Sequence, residues 1–489
     1  MNPLLLTDGY KTSHQKMYPD KTSLVYSNFT PRSNKYAPKG CNEVVSFGQQ
    51  MMMKQIHFAF NHFFFARPKQ EVCSEMKLEM SLYLNCDYDV THFEKLHDLG
   101  YLPICVKAID EGSLVPIRVP VLTIYNTHPD FYWVTNYLET IISNLLWKPM
   151  TSATIARQYR KVFKKWQEMT DKERAWFLDW QGHDFSMRGM DSSDATTASG
   201  LGHLTSFLGT DSLPSIYGAR KYYGETGFVA GSVNATEHSV MCEGGKEDEI
   251  ETFRRLLTIY PTGILSVVSD TWDLWKVCTE FVVTLKEEIL ARDGKLVIRP
   301  DSGNPADIIC GINTKGLMCC EDEKEHPAYK GVVELLWDAF GGTVNAEGYK
   351  VLDSHIGAIY GDSITLEIAD EICQRLSSKG FATTNVVFGI GSFTYQFNTR
   401  DTFGFAMKAT YVEIDGIGRE IFKDPITDDG MKKSATGLLQ VTRDEDGYQL
   451  KDKVTWEQEN QGELKTIYLD GKLMNSVTLT DIREKLKQS

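Results

Sequence analysis

The chain has 489 residues, 42% hydrophobic and 24% charged, which suits a folded globular protein long enough for two or three domains. A net charge of −14 and a pI near 5.4 argue against nonspecific binding to nucleic acid or an anionic membrane, so an anionic substrate would need a local basic pocket. Ten cysteines lack any C-x-x-C pair, and only Cys319 and Cys320 are adjacent; reduced thiols fit better than a metal ribbon or a disulfide framework.

The first residues, MNPLLLTDGYKTSH, carry neither a charged stretch nor a long apolar run, so no signal peptide is expected. The aromatic run HFAFNHFFF (57–65) is broken by histidines and too short to span a bilayer. A cytoplasmic protein with no membrane or nucleic-acid partner is the expectation. Apolar Ile155, Tyr159, Val162, Phe163, Trp166 and Met169 recur at helical spacing, predicting an amphipathic helix that starts and is capped near Thr151 or Ser152.

From there β-rich runs alternate with helical patterns. ILSVVSD (264–270), KLVIRPDSGNP (295–305), IGAIYGD (356–362) and NVVFGIG (385–391) are continuous apolar runs ending in turn residues, and the first three lead into helices. Such alternation predicts a parallel sheet covered by helices. Asp270, Arg299, Asp301, Gly361, Asp362, Gly389 and Gly391 fall where strands should end, which favours a barrel with its active site on that face. The flanks read as a β-rich α+β domain built from both chain ends, with a hairpin around Asp470–Gly471. The expected domains are 148–390 for the barrel and 1–147 with 391–489 for its partner.

Several segments carry residues fit for chemistry. In GHDFSMRGM (182–190), Phe185 and Arg188 suit a flat heteroaromatic ring near a phosphate, or a core Phe with a buried His–Asp pair. His238, in TEHSVM, fits a nucleophile or general base that Asp270 orients, or a structural histidine. IRPDSGNP (298–305) offers a guanidinium, an acceptor, a hydroxyl and free backbone N–H groups to a sugar phosphate, and FGIGSF (388–393) a second glycine turn. Neither a dinucleotide fingerprint nor a P-loop is present. Arg400, Lys408, Lys423, Lys432 and Lys433 form a basic stretch suited to pyrophosphate or a nucleotide tail.

TDGYKTSHQKMYP (7–19), FYWVTNYLETI (131–141), HDFSMRG, FLGTDS (207–212), ATEHS, VVSDTWD (267–273), IRPDSGNP, YGDSI (360–364), FGIGS, TRDTFGFAMK (399–408) and FKDP (422–425) occur together in this order. In that the chain resembles the nicotinamide phosphoribosyltransferases. The resemblance implies an irregular α/β barrel of the type II phosphoribosyltransferases, a β-rich second domain, and a homodimer with active sites at its interface. It implies transfer of phosphoribosyl from phosphoribosyl pyrophosphate to nicotinamide, with Mg²⁺ and with ATP as co-substrate. Phe185 and the partner subunit's Tyr10 would sandwich nicotinamide, and Asp211 would accept from its carboxamide. Arg188, Arg299, Asp301, Gly361, Asp362, Gly391 and Ser392 would hold ribose and 5′-phosphate. His238, oriented by Asp270, would be phosphorylated by ATP, while Arg32, Arg400, Lys408 and Lys423 would meet phosphates. Ser392 stands where the family usually has another glycine, and the lysine after FKDP is displaced, leaving Lys432 and Lys433 both open.

The competing readings are a nicotinate phosphoribosyltransferase, a barrel glycosidase using Asp270 and Asp301, and a non-catalytic signalling protein. A carboxylate at 211 would repel nicotinate. The glycosidase leaves the basic cluster unexplained, and an intact Asp211, His238, Asp270 and Arg299 speak against a dead site.

Overall fold

The continuous apolar runs become strands of one parallel sheet. The computed structural model describes residues 1–312, 326–361, 363–423, 434–474 and 476–488. Seven strands pair in parallel: Gly182–Asp184, Gly209–Thr210, Asn234–Ala235, Thr262–Val268, Asp293–Arg299, Ile356–Tyr360 and Val386–Ile390. Around the sheet they stand in chain order, as short helical crossovers between neighbours require. The ends meet just before the third strand. Thr210 donates its N–H to the Gly231 carbonyl at 3.0 Å, and Gly231 donates to the Leu208 carbonyl at 2.8 Å. Among the described residues the expected barrel is thus a closed ring of seven strands.

The chain forms two compact units, one comprising 155–217 and 227–397, the other 1–154, 218–226 and 398–489. In the barrel unit, helices such as Glu249–Ile259, Val332–Phe340 and Leu366–Ser378 lay apolar faces on the strands. Phe163, fully buried, stacks on Phe388 of the last strand at 4.8 Å between centroids and lies 6.0 Å from Phe207. Ile155, Tyr159 and Trp166 are buried as the spacing predicts, whereas Met169 is 47% exposed.

The helix carrying them begins earlier than predicted, spanning Glu139–Thr170 with Pro149 inside. A proline there removes one hydrogen bond at about 3 kcal/mol. Buried Ile142, Leu146, Met150 and Ala153 continue the apolar stripe through it, and that burial outweighs the loss.

The other unit brings both chain ends into one antiparallel sheet. Its order is Ile417–Glu420, Ala406–Ile414, Thr22–Thr30, Leu122–Asn126, Ile104–Ala108, Lys465–Leu469 and Lys472–Leu473. The last two strands are the hairpin read from Asp470–Gly471, whose φ values of +46° and +78° match a tight two-residue turn. Past it the chain forms a helix, Leu479–Lys487, where Thr478 and Asp481 form a capping box. Among the described residues no helix is long and apolar enough to cross a membrane.

Phe163→Ala should cost about 3–5 kcal/mol, because removing the ring leaves a cavity between Phe388 and Phe207. Chemical denaturation followed by far-UV circular dichroism reads the shift. A midpoint equal to wild type would mean that this stack does not anchor the helix to the barrel.

Candidate active site

The barrel encloses a cavity of about 350 Å³, lined near the strand ends by His183, Phe185, Asp211, Ser232 and Arg299 and deeper in by Val297, Lys295 and Arg174. The first strand delivers His183, and Phe185 follows it, its backbone N–H donating to the Ile390 carbonyl at 3.0 Å. Gly389, beside it, has no room for a side chain. A Cβ there would lie 2.7 Å from the Phe185 ring and 2.9 Å from backbone atoms of Tyr360 and Gly361.

Asp211 follows the second strand, and its N–H donates to the Asp184 carbonyl at 2.9 Å. His183 Nε2 lies 2.9 Å from Asp211 Oδ1, and Ser232 Oγ donates to the same oxygen at 2.5 Å. Burial alone would raise the Asp211 carboxyl. The His183 and Ser232 hydrogen bonds, with the His183 and Arg299 charges, outweigh it and hold the group below the usual carboxylate range. The sequence suggested a His183–Asp184 pair; instead His183 reaches across to Asp211, while Asp184 accepts from the Ser186 N–H at 2.9 Å.

Arg299 ends the fifth strand, with Nη2 donating to the Thr236 carbonyl at 2.6 Å and Nε buried without a partner among the described residues. Burial lowers its pKa against the pull of Asp301, Asp211 and Asp270, and nearby Arg188, itself exposed, lowers it further. Asp270 Oδ2 accepts from the Asp301 N–H at 2.8 Å and the Ser302 hydroxyl at 2.6 Å, so it pins the turn after Arg299. Its Oδ1 is buried and unpartnered among the described residues. The expected Asp270–His238 contact is not formed. His238 is exposed at the start of His238–Cys242, its Nδ1 lying 3.2 Å from Thr271 Oγ1.

Gly361 touches this turn closely, since a Cβ there would lie 2.6 Å from Asp301 Oδ1. Gly391 is not sterically required, and the Ser392 hydroxyl instead fills the space over Gly189. Asp362, Asp424, Pro425, Lys432 and Lys433 lie outside the described residues, as do Cys319 and Cys320. Among the described residues no three His, Cys, Asp or Glu side chains gather as a metal cage. Asp270, with its open oxygen, and Asp301 fit the one or two carboxylates that a Mg²⁺ carried on substrate phosphates uses.

The other unit holds its own cluster. Lys408, on Ala406–Ile414, has its pKa lowered by burial, opposed by Glu139 and reinforced by the charges of Arg32, Lys423 and Arg400. Arg32 Nε donates to the Gly404 carbonyl at 3.2 Å, and Arg400 starts the turn Arg400–Thr402. Tyr10 is 62% exposed on the helical turn Gly9–Lys16, its ring edge-on to His14. Ser232, Thr236 and Thr271 carry no role in the sequence reading, where the small-residue run at 231–235 is the signal nearest to Ser232, and His183 is visible there only as half of a His–Asp pair.

Residues 180–471 match the nicotinate phosphoribosyltransferase (NAPRTase) family, and residues 2–61 the nicotinamide phosphoribosyltransferase N-terminal domain. The chain is 50% identical to a nicotinamide phosphoribosyltransferase of Acinetobacter baylyi, over 100% of this chain and 97% of that protein. One of Xanthomonas campestris pv. campestris is 32% identical over 99% and 97%. The fold is similar to human nicotinic acid phosphoribosyltransferase (TM-score 0.56, 16% identity, 99% and 93% covered). It is likewise similar to the nicotinate-nucleotide pyrophosphorylase of Pyrococcus furiosus (TM-score 0.54, 17% identity, 100% and 95% covered).

Gly389→Ala tests the packing behind Phe185. Two of the three clashing atoms are backbone, so the ring must tilt, and the change should destabilise the barrel by about 1–3 kcal/mol. A thermal midpoint unchanged from wild type would show that Phe185 does not lie against that strand.

Proposed function

The chain belongs to the family of nicotinate and nicotinamide phosphoribosyltransferases, and on that premise we propose that it joins nicotinamide to phosphoribosyl pyrophosphate, giving nicotinamide mononucleotide and pyrophosphate in NAD salvage. Asp211 carries the choice of base. It is held ionised in a partly buried cavity, so it accepts from a carboxamide NH₂ and repels a carboxylate. Phe185 offers a ring face to the pyridine beside it. Arg299, Arg188 and the Asp301 turn are the groups suited to the ribose 5-phosphate.

The chemistry asks little of the protein beyond placement. Pyrophosphate leaves the anomeric carbon through an oxocarbenium-like state while the pyridine nitrogen bonds to that carbon. The barrel aligns the two, and cations neutralise the leaving group. Mg²⁺ would add charge neutralisation there, with Asp270 and Asp301 as its protein ligands. In this reading the enzyme is a cytoplasmic homodimer. The exposure of Tyr10 supports a ring sandwich completed by the partner subunit's Tyr10, and the Arg32, Arg400, Lys408 and Lys423 cluster suits pyrophosphate or ATP phosphates.

His238 fits a phosphate relay because it is exposed, with Nδ1 engaged by Thr271 and no partner at Nε2 among the described residues. Nε2 would attack the γ-phosphorus of ATP, the bond to the bridging oxygen would break, and ADP would leave. Water would later release phosphate from the histidine, coupling ATP hydrolysis to synthesis.

Asp211→Asn should lower kcat/KM for nicotinamide on the order of 10–100-fold, the worth of a hydrogen bond to a charged group, while admitting nicotinate. Wild-type enzyme turning over nicotinate as fast as nicotinamide would overturn the assignment of the base. The relay has its own readout: with ATP and Mg²⁺ the protein should acquire an acid-labile, alkali-stable phosphate that His238→Ala abolishes along with ATP hydrolysis. Full ATPase activity in a folded His238→Ala protein would remove the phosphohistidine from the mechanism.

A further inference from the structure

Asp211 does not act alone. Two donors, His183 Nε2 at 2.9 Å and Ser232 Oγ at 2.5 Å, converge on its Oδ1, and no hydrogen bond to Oδ2 forms among the described residues. The backbone beneath is fixed by the Asp211 N–H donating to the Asp184 carbonyl. The carboxylate is therefore locked by one oxygen and presents the other.

His183 is itself held on several sides. Its backbone pairs with Gly209 on one neighbouring strand and Gly389 on the other. A Cβ at Gly209 would lie 2.7 Å from His183 Nδ1, so the second strand packs directly on the imidazole edge. The imidazole also lies 4.5 Å from the Phe185 ring, at 36°. One buried side chain thus touches both the aromatic platform and the acceptor, and fixes the angle between them.

We propose that His183, assisted by Ser232, is the positioning residue that sets base selectivity, by fixing Asp211 as an anionic acceptor with Oδ2 open to a carboxamide. This rests on the reading that nicotinamide binds at Asp211. An ionised aspartate accepts but cannot donate, so the imidazole must keep its proton on Nε2. Without that donor, burial is the strongest influence left on Asp211 and pushes it toward its acid form. An aspartic acid donates a hydrogen bond and no longer repels a carboxylate, so nicotinate would enter. The other charged group at Asp211 is Arg299, flanked by Asp301, Asp270 and Arg188, and these are unchanged by substitution at 183.

The test compares His183→Leu, which removes the donor, with His183→Gln, which keeps an amide N–H, using the purified full chain with nicotinamide and with nicotinate from about pH 5.5 to 8.5, a range whose acid end favours the protonated form of a carboxyl raised by burial. His183→Leu should raise KM for nicotinamide about tenfold, more than it lowers kcat. It should also shift preference toward nicotinate by on the order of tenfold, most at the acid end, with the low-pH limb of nicotinamide kcat/KM moving to higher pH. His183→Gln should restore most of the selectivity. Ser232→Ala, which removes the other donor from an exposed position, should shift preference the same way by a smaller factor and serves if His183→Leu does not fold. Wild-type selectivity at every pH in folded His183→Leu, or in Ser232→Ala where that variant alone folds, would overturn the proposal. Failure of the wild type to use nicotinamide would instead overturn the assignment of the base.

Discussion

The wall that joins Asp211 to Ser232 depends on two backbone hydrogen bonds at Gly231. They join the second strand to the chain just before the third and turn a seven-stranded sheet into a ring. An open parallel sheet would leave Gly209–Thr210 and Asn234–Ala235 as edges, each only two residues long and unable to hold position by itself. Closure sets the residues beside them, Asp211 and Ser232, on adjoining walls, which is why Ser232 Oγ reaches Asp211 Oδ1. Both loops belong to one short stretch of the ring, so the geometry of the acceptor is inherited from the barrel rather than from a mobile loop.

The same ring arranges charge. A chain of net charge −14 must build a local positive field to hold an anion. Period-two alternation puts Lys295, Val297 and Arg299 on one inward face of one strand, and all three line the cavity. Burial together with Arg174 lowers Lys295 to about 8, against the pull of Asp353. Arg299 is also depressed by burial, yet a guanidinium so lowered remains a cation at neutral pH, whereas the amine of Lys295 titrates nearby. At the strand's end, where a phosphate would sit, the chain places the group whose charge cannot be lost.

Much of this was legible in the sequence because parallel strands buried on both faces are continuous apolar runs. ILSVVSD and KLVIRPDSGNP announce both the strand and its end, and a strand end in a barrel is where chemistry gathers. What stayed hidden were contacts across the ring. His183 sits beside Asp184 in sequence, and local spacing favours that pair, but strand alternation points neighbours to opposite faces; the pairing of His183 with Gly209 on the adjoining strand brings Asp211 within 2.9 Å. Asp270 misled in the opposite way. Its sequence position favours an orienter of His238, whereas backbone geometry turns it to the N–H of Asp301 and the hydroxyl of Ser302. The helix start expected near Thr151 or Ser152 lies earlier because buried Ile142, Leu146, Met150 and Ala153 carry the helix through Pro149.

The cavity also explains why the barrel departs from the usual layered core. Small parallel barrels fill their interior with branched apolar side chains, and a void costs stability in proportion to its volume. Here Ala235, Ser266, Gly357 and Ala358 line the cavity where larger residues would fill it, and a Cβ at Gly357 would lie 3.2 Å from the Lys295 chain. That loss is offset outside the ring, where Phe163, Phe207, Phe388, Tyr159 and Tyr360 pack the helix–strand layer almost free of solvent. Stability is thus concentrated on the outer face of the strands. The inner face is left free to hold an ionised aspartate, two cations and an aromatic ring, groups that a packed apolar core could not accept.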